Sequence, residues 1–324
     1  MLGIHMLAAG SLFGLSVGGN YEVEQVVSNV NDYSFTQYEG LSVSGGTLYY
    51  GNFREVKAFN LGTRTESIYG SLPGNNGISH VTYAGGQVYA SHFTSYAQPY
   101  PYFFGSVSQG GSFNQQLQMD GIYDAAVAPN GNLYFVSNHD SNGDDLGDGS
   151  RIYQFDITTG LANEVAAIGG ASGGLTFDAA GNLYYANFDA DQLISFSASQ
   201  VATGGLQLAD ANVVMTLENG GYLGFDSAGF LLASQLDDFL GSSINRYDLS
   251  TGTMVGTVAT SDDGKQFHKF VTDGDTVYII EQSWDWSGDY GSAIYGVTIV
   301  PEPQTIALWA GLLVGAVVWV RRRK

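Results

Sequence analysis

Apolar residues in this chain fall in short runs that return at long, nearly regular intervals. One hexad recurs six times. It reads Leu48-Tyr-Tyr-Gly-Asn-Phe53, Val88-Tyr-Ala-Ser-His-Phe93, Leu133-Tyr-Phe-Val-Ser-Asn138, Leu183-Tyr-Tyr-Ala-Asn-Phe188, Leu231-Leu-Ala-Ser-Gln-Leu236 and Val277-Tyr-Ile-Ile-Glu-Gln282. The spacings are 40, 45, 50, 48 and 46 residues, and five of the six hexads carry Tyr second. A Gly turn precedes each, from Gly45-Gly46 to Asp273-Gly274, and a shorter apolar run such as Gly174–Phe177 precedes the turn. Two apolar runs flanking a Gly turn predict a β-hairpin. A third run follows each hexad, as in Ile152–Ile157, and in most repeats a fourth, as in Glu164–Ile168. Apolar positions are consecutive more often than alternating, as in strands buried on both faces.

Four strands per 40–50 residues, six times over, predict an all-β fold, a six-bladed β-propeller spanning residues 20–299. The sixth repeat stops at Val300-Pro-Glu-Pro303 without a fourth strand. The unpartnered alternating stretch Tyr21–Val27 is expected to supply it, closing the ring and covering an exposed edge. In its blade pattern this body resembles six-bladed propellers of the NHL and gluconolactonase-like type, a resemblance of architecture.

Composition agrees. There are 21 Tyr, 18 Phe and 45 Gly in 324 residues, and charged residues make up only 13%. With no cysteine, disulfides and thiolate chemistry are excluded. The formal charge is −20, although the last four residues are all basic. A body this acidic argues against nucleic-acid partners, which need a basic patch, and suits divalent or cationic ligands.

The ends differ from the body. Residues 1–19 are apolar and rich in small residues, as in part of a secretory signal peptide, without its basic leading segment. At the other end Thr305–Val320 is an uncharged stretch of about 24 Å as a helix, close to a membrane span. The basic run Arg321, Arg322, Arg323 and Lys324 would stay cytoplasmic. The order Val300, Pro301, Glu302, Pro303, apolar helix, basic terminus resembles the PEP-CTERM sorting signal of Gram-negative bacteria. That resemblance implies processing by an exosortase, transient anchoring in the inner membrane, delivery to the cell envelope or exterior, and association with extracellular polysaccharide. It implies nothing about the chemistry of the body.

Candidate chemistry comes from aligning the repeats. Residues leading into the innermost strands include Glu39, His80, Asp124, Tyr222 and His268. His80, Asp124 and His268 could converge on the axis as a metal site or an acid–base set. Several loops between second and third strands are acidic. In the longest, Asp140, Asn142, Asp144 and Asp148 follow a partial calcium-loop spacing, with Asp145 and Arg151 departing from it. Asp189, Asp237, Trp284 and Trp286 lie in equivalent loops, where aromatics beside carboxylates can hold a sugar ring. No nucleophile elbow, phosphate loop or HExxH motif is present. The first functional reading is an exported, non-catalytic propeller that binds matrix polysaccharide or protein, with calcium as a cofactor. The second is a metal-dependent, lactonase-like hydrolase or lyase working at the channel mouth.

Overall fold

Each hexad becomes the second strand of an antiparallel meander, with the run before it as the first strand. The computed structural model describes residues 15–17, 21–29, 38–73, 77–93, 102–119, 121–139, 149–237, 241–261, 265–283 and 292–299. The first meander is Tyr38–Ser44, Thr47–Asn52, Glu55–Asn60 and Thr65–Ser71. The second is Ile78–Ala84, Gln87–Phe93, Tyr102–Val107 and Gly111–Met119, and the third Ile122–Val127, Leu133–His139, Gly149–Asp156 and Leu161–Ala167. Then come Leu175–Phe177, Leu183–Asn187, Gln192–Phe196 and Asn212–Thr216, followed by Gly220–Phe225, Leu231–Asp237, Gly241–Asp248 and Thr253–Ser261. The last runs Lys265–Asp273, Thr276–Ser283 and Ser292–Ile299.

Turn chemistry sets the hairpins. Gly45 and Gly46 both take positive φ, as do Gly85 and Gly86, so two residues suffice to reverse the chain without splaying the strands. Elsewhere a carboxylate does the work. Asp178 Oδ1 accepts from the amides of Ala180 and Asn182, both at 2.9 Å. Asp226 Oδ1 repeats this with Ala228 at 3.0 Å and Phe230 at 2.9 Å.

The chain is nearly all-β with a propeller-like arrangement, but among the described residues its strands form five hydrogen-bonded sheets, not six. The expected separation fails at one place. The outer strands of the first and second meanders pair in parallel, Gly70 with Gly111 and Ser71 with Ser112, and fuse two meanders into one eight-stranded sheet. Two bare outer edges lie side by side there, and pairing satisfies both. The expected closure is present: Tyr21–Asn29 pairs antiparallel with Ser292–Ile299 and completes the last sheet. Leu15–Val17, inside the apolar leading segment, pairs with Ala259–Ser261 at the outer edge of the fifth meander.

The core is divided in the same way. Among the described residues six apolar clusters lie between consecutive meanders. Tyr134 and Val136 of the third meet Leu183 and Tyr185 of the fourth. Ile280 and Ile294 of the last meet Leu48 and Tyr50 of the first. This explains the consecutive apolar positions, because each sheet is buried on both faces. A fully buried leucine such as Leu48 contributes about 1.5–3 kcal/mol.

The expected C-terminal helix and sorting tail, residues 300–324, lie outside the described residues. Among the described residues no helix is long and apolar enough to cross a membrane. The one α-helix there is Ala198–Thr203, capped by Ser197.

Tyr185 shows how neighbouring meanders are joined by more than apolar contact. Its buried hydroxyl donates to Ser150 Oγ at 2.8 Å across the third–fourth interface and accepts from the Gly173 amide at 2.9 Å. Tyr185→Phe keeps the packing and orphans that amide, so a loss of about 1–3 kcal/mol in urea unfolding is expected. An unchanged midpoint would show that the hydroxyl contributes nothing.

Candidate functional site

The first strands of the meanders contact one another in turn around an axis. Tyr38–Ser44 lies against Ile78–Ala84, followed by Ile122–Val127, Leu175–Phe177, Gly220–Phe225 and Lys265–Asp273, which returns to Tyr38–Ser44. At one end they approach backbone to backbone. A side chain on Gly174 would collide with Gly221 and Tyr222, and one on Gly40 with His80 and Val81. Glycine is what permits this approach.

Most of these strands carry a β-bulge near their beginning. The register slips between Glu39 and Leu41, Ile78 and His80, Ile122 and Asp124, Gly220 and Leu223, and Phe267 and Lys269. Bulges re-aim side chains, and here they decide which residues are equivalent. His80 pairs with Ser91, Asp124 with Val136 and Lys269 with Ile280, each the fourth residue of its hexad. His268 is the extra residue of the bulge. The predicted trio of His80, Asp124 and His268 therefore does not share one register position, and Lys269 takes the place expected of His268.

Asp124 is the centre of this end of the axis. It is 0% exposed. Its Oδ1 accepts from the Ala125 amide at 2.8 Å and its Oδ2 from the Leu175 amide of the next meander at 3.0 Å. Lys269 Nζ, 145 residues along the chain, donates to Oδ1 as an ion pair. The Lys269 ammonium also lies 4.8 Å from the centre of the Tyr222 ring, a cation–π contact. Tyr222 stacks on Tyr123 at 5.2 Å with the rings 10° from parallel. Burial pushes the Tyr123 phenol up to about 12, so it stays protonated. Burial pushes Lys269 down to about 7, while the carboxylate it touches favours the charged form.

Lys269 opens onto an axial cavity of about 250 Å³, lined by all six first strands. The wall is more polar than apolar, and residues bearing hydroxyl groups, among them Ser42, Thr82, Thr176 and Thr272, line it beside Lys269. Lys269 is the one charged residue among the described residues lining it. A wall of this kind offers hydrogen-bond partners to a small, oxygen-rich ligand.

The other predicted residues scatter. His80 is buried, at 1% exposure. Glu39 and His268 lie in first strands and Asp237 ends the strand Leu231–Asp237, but the placement of their side chains lies outside what the structure describes. Asp140, Asn142, Asp144, Asp148, Trp284 and Trp286 fall outside the described residues altogether. Asp189 is in the expected loop, yet its carboxylate is engaged by the chain itself: Oδ2 accepts from the Ala171 amide at 2.9 Å. Its neighbour Asp191 accepts from the Asn219 amide at 3.0 Å. Of the predicted set, Asp124 and Tyr222 are brought together, and sequence reasoning missed their partners Lys269 and Tyr123. Asp124 spends its oxygens on two amides and an ammonium, which does not fit a role as metal ligand. Among the described residues no group of three or more His, Asp or Glu side chains could hold a metal ion.

No family model matches the chain. No curated protein matches it in sequence. Solved structures match its fold. A structural-genomics protein named as a gluconolactonase candidate aligns over 87% of this chain and 93% of its own, with a TM-score of 0.56 and 14% identity. The calcium-binding protein regucalcin from Agrobacterium tumefaciens aligns over 84% and 95%, with a TM-score of 0.55 and 14% identity. At that identity the likeness establishes the propeller-like fold.

The Asp124–Lys269 pair spans the axis from the third meander to the last. Removing either partner strands a buried charge, so Asp124→Asn or Lys269→Met is expected to cost about 3–5 kcal/mol. The double variant Asp124→Asn/Lys269→Met should cost clearly less than the sum of the two in a double-mutant cycle of urea unfolding. Additive losses would show that the pair is not coupled.

Proposed function

We propose that this chain is an exported six-bladed β-propeller that takes a small, oxygen-rich molecule of the sugar-lactone or sugar-acid class into its axial cavity and opens the lactone by hydrolysis. The observation that carries the reading is Lys269, the one charged group among the described residues lining that cavity, held against Asp124 and pushed by burial toward a pKa of about 7. An amine poised there can take a proton from water as the water adds to a lactone carbonyl. It can return the proton to the ring oxygen as the carbon–oxygen bond breaks. The new carboxylic acid then passes its own proton to the amine, which leaves a carboxylate beside an ammonium, and Thr82 and Thr176 in the cavity wall offer hydroxyl groups to the sugar. The six blades are supported by the six inter-meander clusters and the ring of first strands. The fold shared with the gluconolactonase candidate and with regucalcin is compatible with this reading.

A second reading, non-catalytic binding of matrix polysaccharide, is favoured by a different observation. Both oxygens of Asp124 are already satisfied, as in a structural strut. Calcium on the loop from Asp140 to Asp148 is compatible with either reading, and no step of the reaction is routed through it. Export rests on the tail sequence, whose resemblance to a PEP-CTERM signal supports exosortase processing and delivery to the cell envelope or exterior.

Purified protein should hydrolyse five- or six-membered sugar lactones, measured by proton release, with a rate that rises as pH passes through about 7. Lys269→Met should lower the rate at least ~100-fold while circular dichroism stays unchanged. No hydrolysis across a lactone panel, with and without added calcium, would sink the hydrolytic reading and leave the binding one. Calorimetric titration with calcium tests the acidic loop: Asp140→Asn/Asp144→Asn should abolish any heat of binding, and no binding at millimolar calcium removes the cofactor. In a Gram-negative host with an exosortase, the body should appear in the envelope or medium and stay in the inner membrane when Pro301, Glu302 and Pro303 become alanine. Equal fractionation of the two would overturn the sorting assignment.

A further inference from the structure

Leu15–Val17 lies inside the apolar leading segment that reads as part of an export signal, yet it is built into the body. It pairs with the outer strand of the fifth meander, Leu15 with Ser261, Ser16 with Thr260 and Val17 with Ala259. Leu15 is 1% exposed and belongs to the cluster between the fifth and last meanders, with Val258, Ala259, Phe267 and Phe270. Val17 packs against the same cluster. Ala259 and Ser261 are themselves buried.

A leader that is cut away has no reason to fill a core, whereas a strand that stays does two things. It fills the space beside Ala259 that a leucine now occupies, and it covers the backbone edge of Ala259–Ser261, which would otherwise stand open for pairing with another chain.

We infer that Leu15–Val17 remains in the mature protein as a fifth strand on the fifth meander, so that any leader cleavage falls N-terminal to Leu15. The position of the cut rests on the export reading above; the structural role of the strand does not.

The test is the full chain expressed in a Gram-negative host, with the N terminus of the exported product read by intact mass and peptide sequencing. A product that begins at or before Leu15 carries the inference; one that begins after Leu15 overturns it. If the chain is neither exported nor cut, the export reading fails, and thermal unfolding of Leu15→Ala in the uncut chain decides the strand. A drop of at least ~5 °C in Tm is expected, the size of effect a lost core leucine has in a chain of this length. An unchanged Tm overturns the structural role, and a Leu15→Ile variant should restore most of the loss.

Discussion

A β-sheet that is apolar on both faces can be buried only between two others. Nearly everything else in this protein follows from that constraint. Each meander shares one apolar cluster with the meander before it and another with the one after it. The last meander shares clusters with both the fifth and the first. A line of such sheets would leave two large apolar faces in water, and a closed arrangement leaves none. Closure in turn gives an axis, and the axis brings first strands from six distant parts of the chain into one cavity wall.

The axis carries a charged pair with both side chains buried. Desolvating Asp124 and Lys269 is costly, and the geometry offsets that cost with two backbone amides on the carboxylate and an aromatic face under the ammonium. The pair ties the third meander to the last, and the Leu175 amide adds the fourth. Tyr123 and Tyr222 bring a stacked aromatic layer to the same place. The axial end thus joins three meanders and holds two groups whose ionisation is strongly perturbed, Lys269 and Tyr123, a combination common at functional sites.

Much of the acidic character of the chain is consumed locally. Asp156 and Asp248, in the near-identical turns before Gly160 and Gly252, accept from amides two residues on; the Thr158 amide holds the first carboxyl below the usual range, and the Ser250 hydroxyl together with the Ser250 amide holds the second. Asp178 and Asp226 do the same in the hairpins, and Asp226 also pairs with Arg246 at 2.6 Å, whose guanidinium lies 3.8 Å from the centre of the Phe230 ring. Asp189 and Asp191 hold loop amides. The carboxylates therefore replace glycine-only turns in part of the repeat, and their number is a weak guide to ligand sites.

The repeating hexad, its Gly turn and the missing last strand were legible along the chain because they are local: a period, a turn residue and a count. They determined the all-β class, the meanders and the pairing of Tyr21–Asn29 with the final strand. The candidate site was legible only in part. Asp124 stands nine residues before its hexad, whereas His80 stands eight before its own, because the third hairpin turn is longer. Counting nine back from Val277 finds His268, and counting eight finds Lys269. Only the paired strands, with their bulges, decide between them. The fusion of two meanders through Gly70 and Gly111, and the burial of Leu15 under the fifth, likewise depend on edges that meet in space far from each other in sequence. Period and turn chemistry belong to the sequence; which edges meet, and which lysine faces Asp124, belong to the tertiary structure, because both are set by contacts between residues up to 145 positions apart.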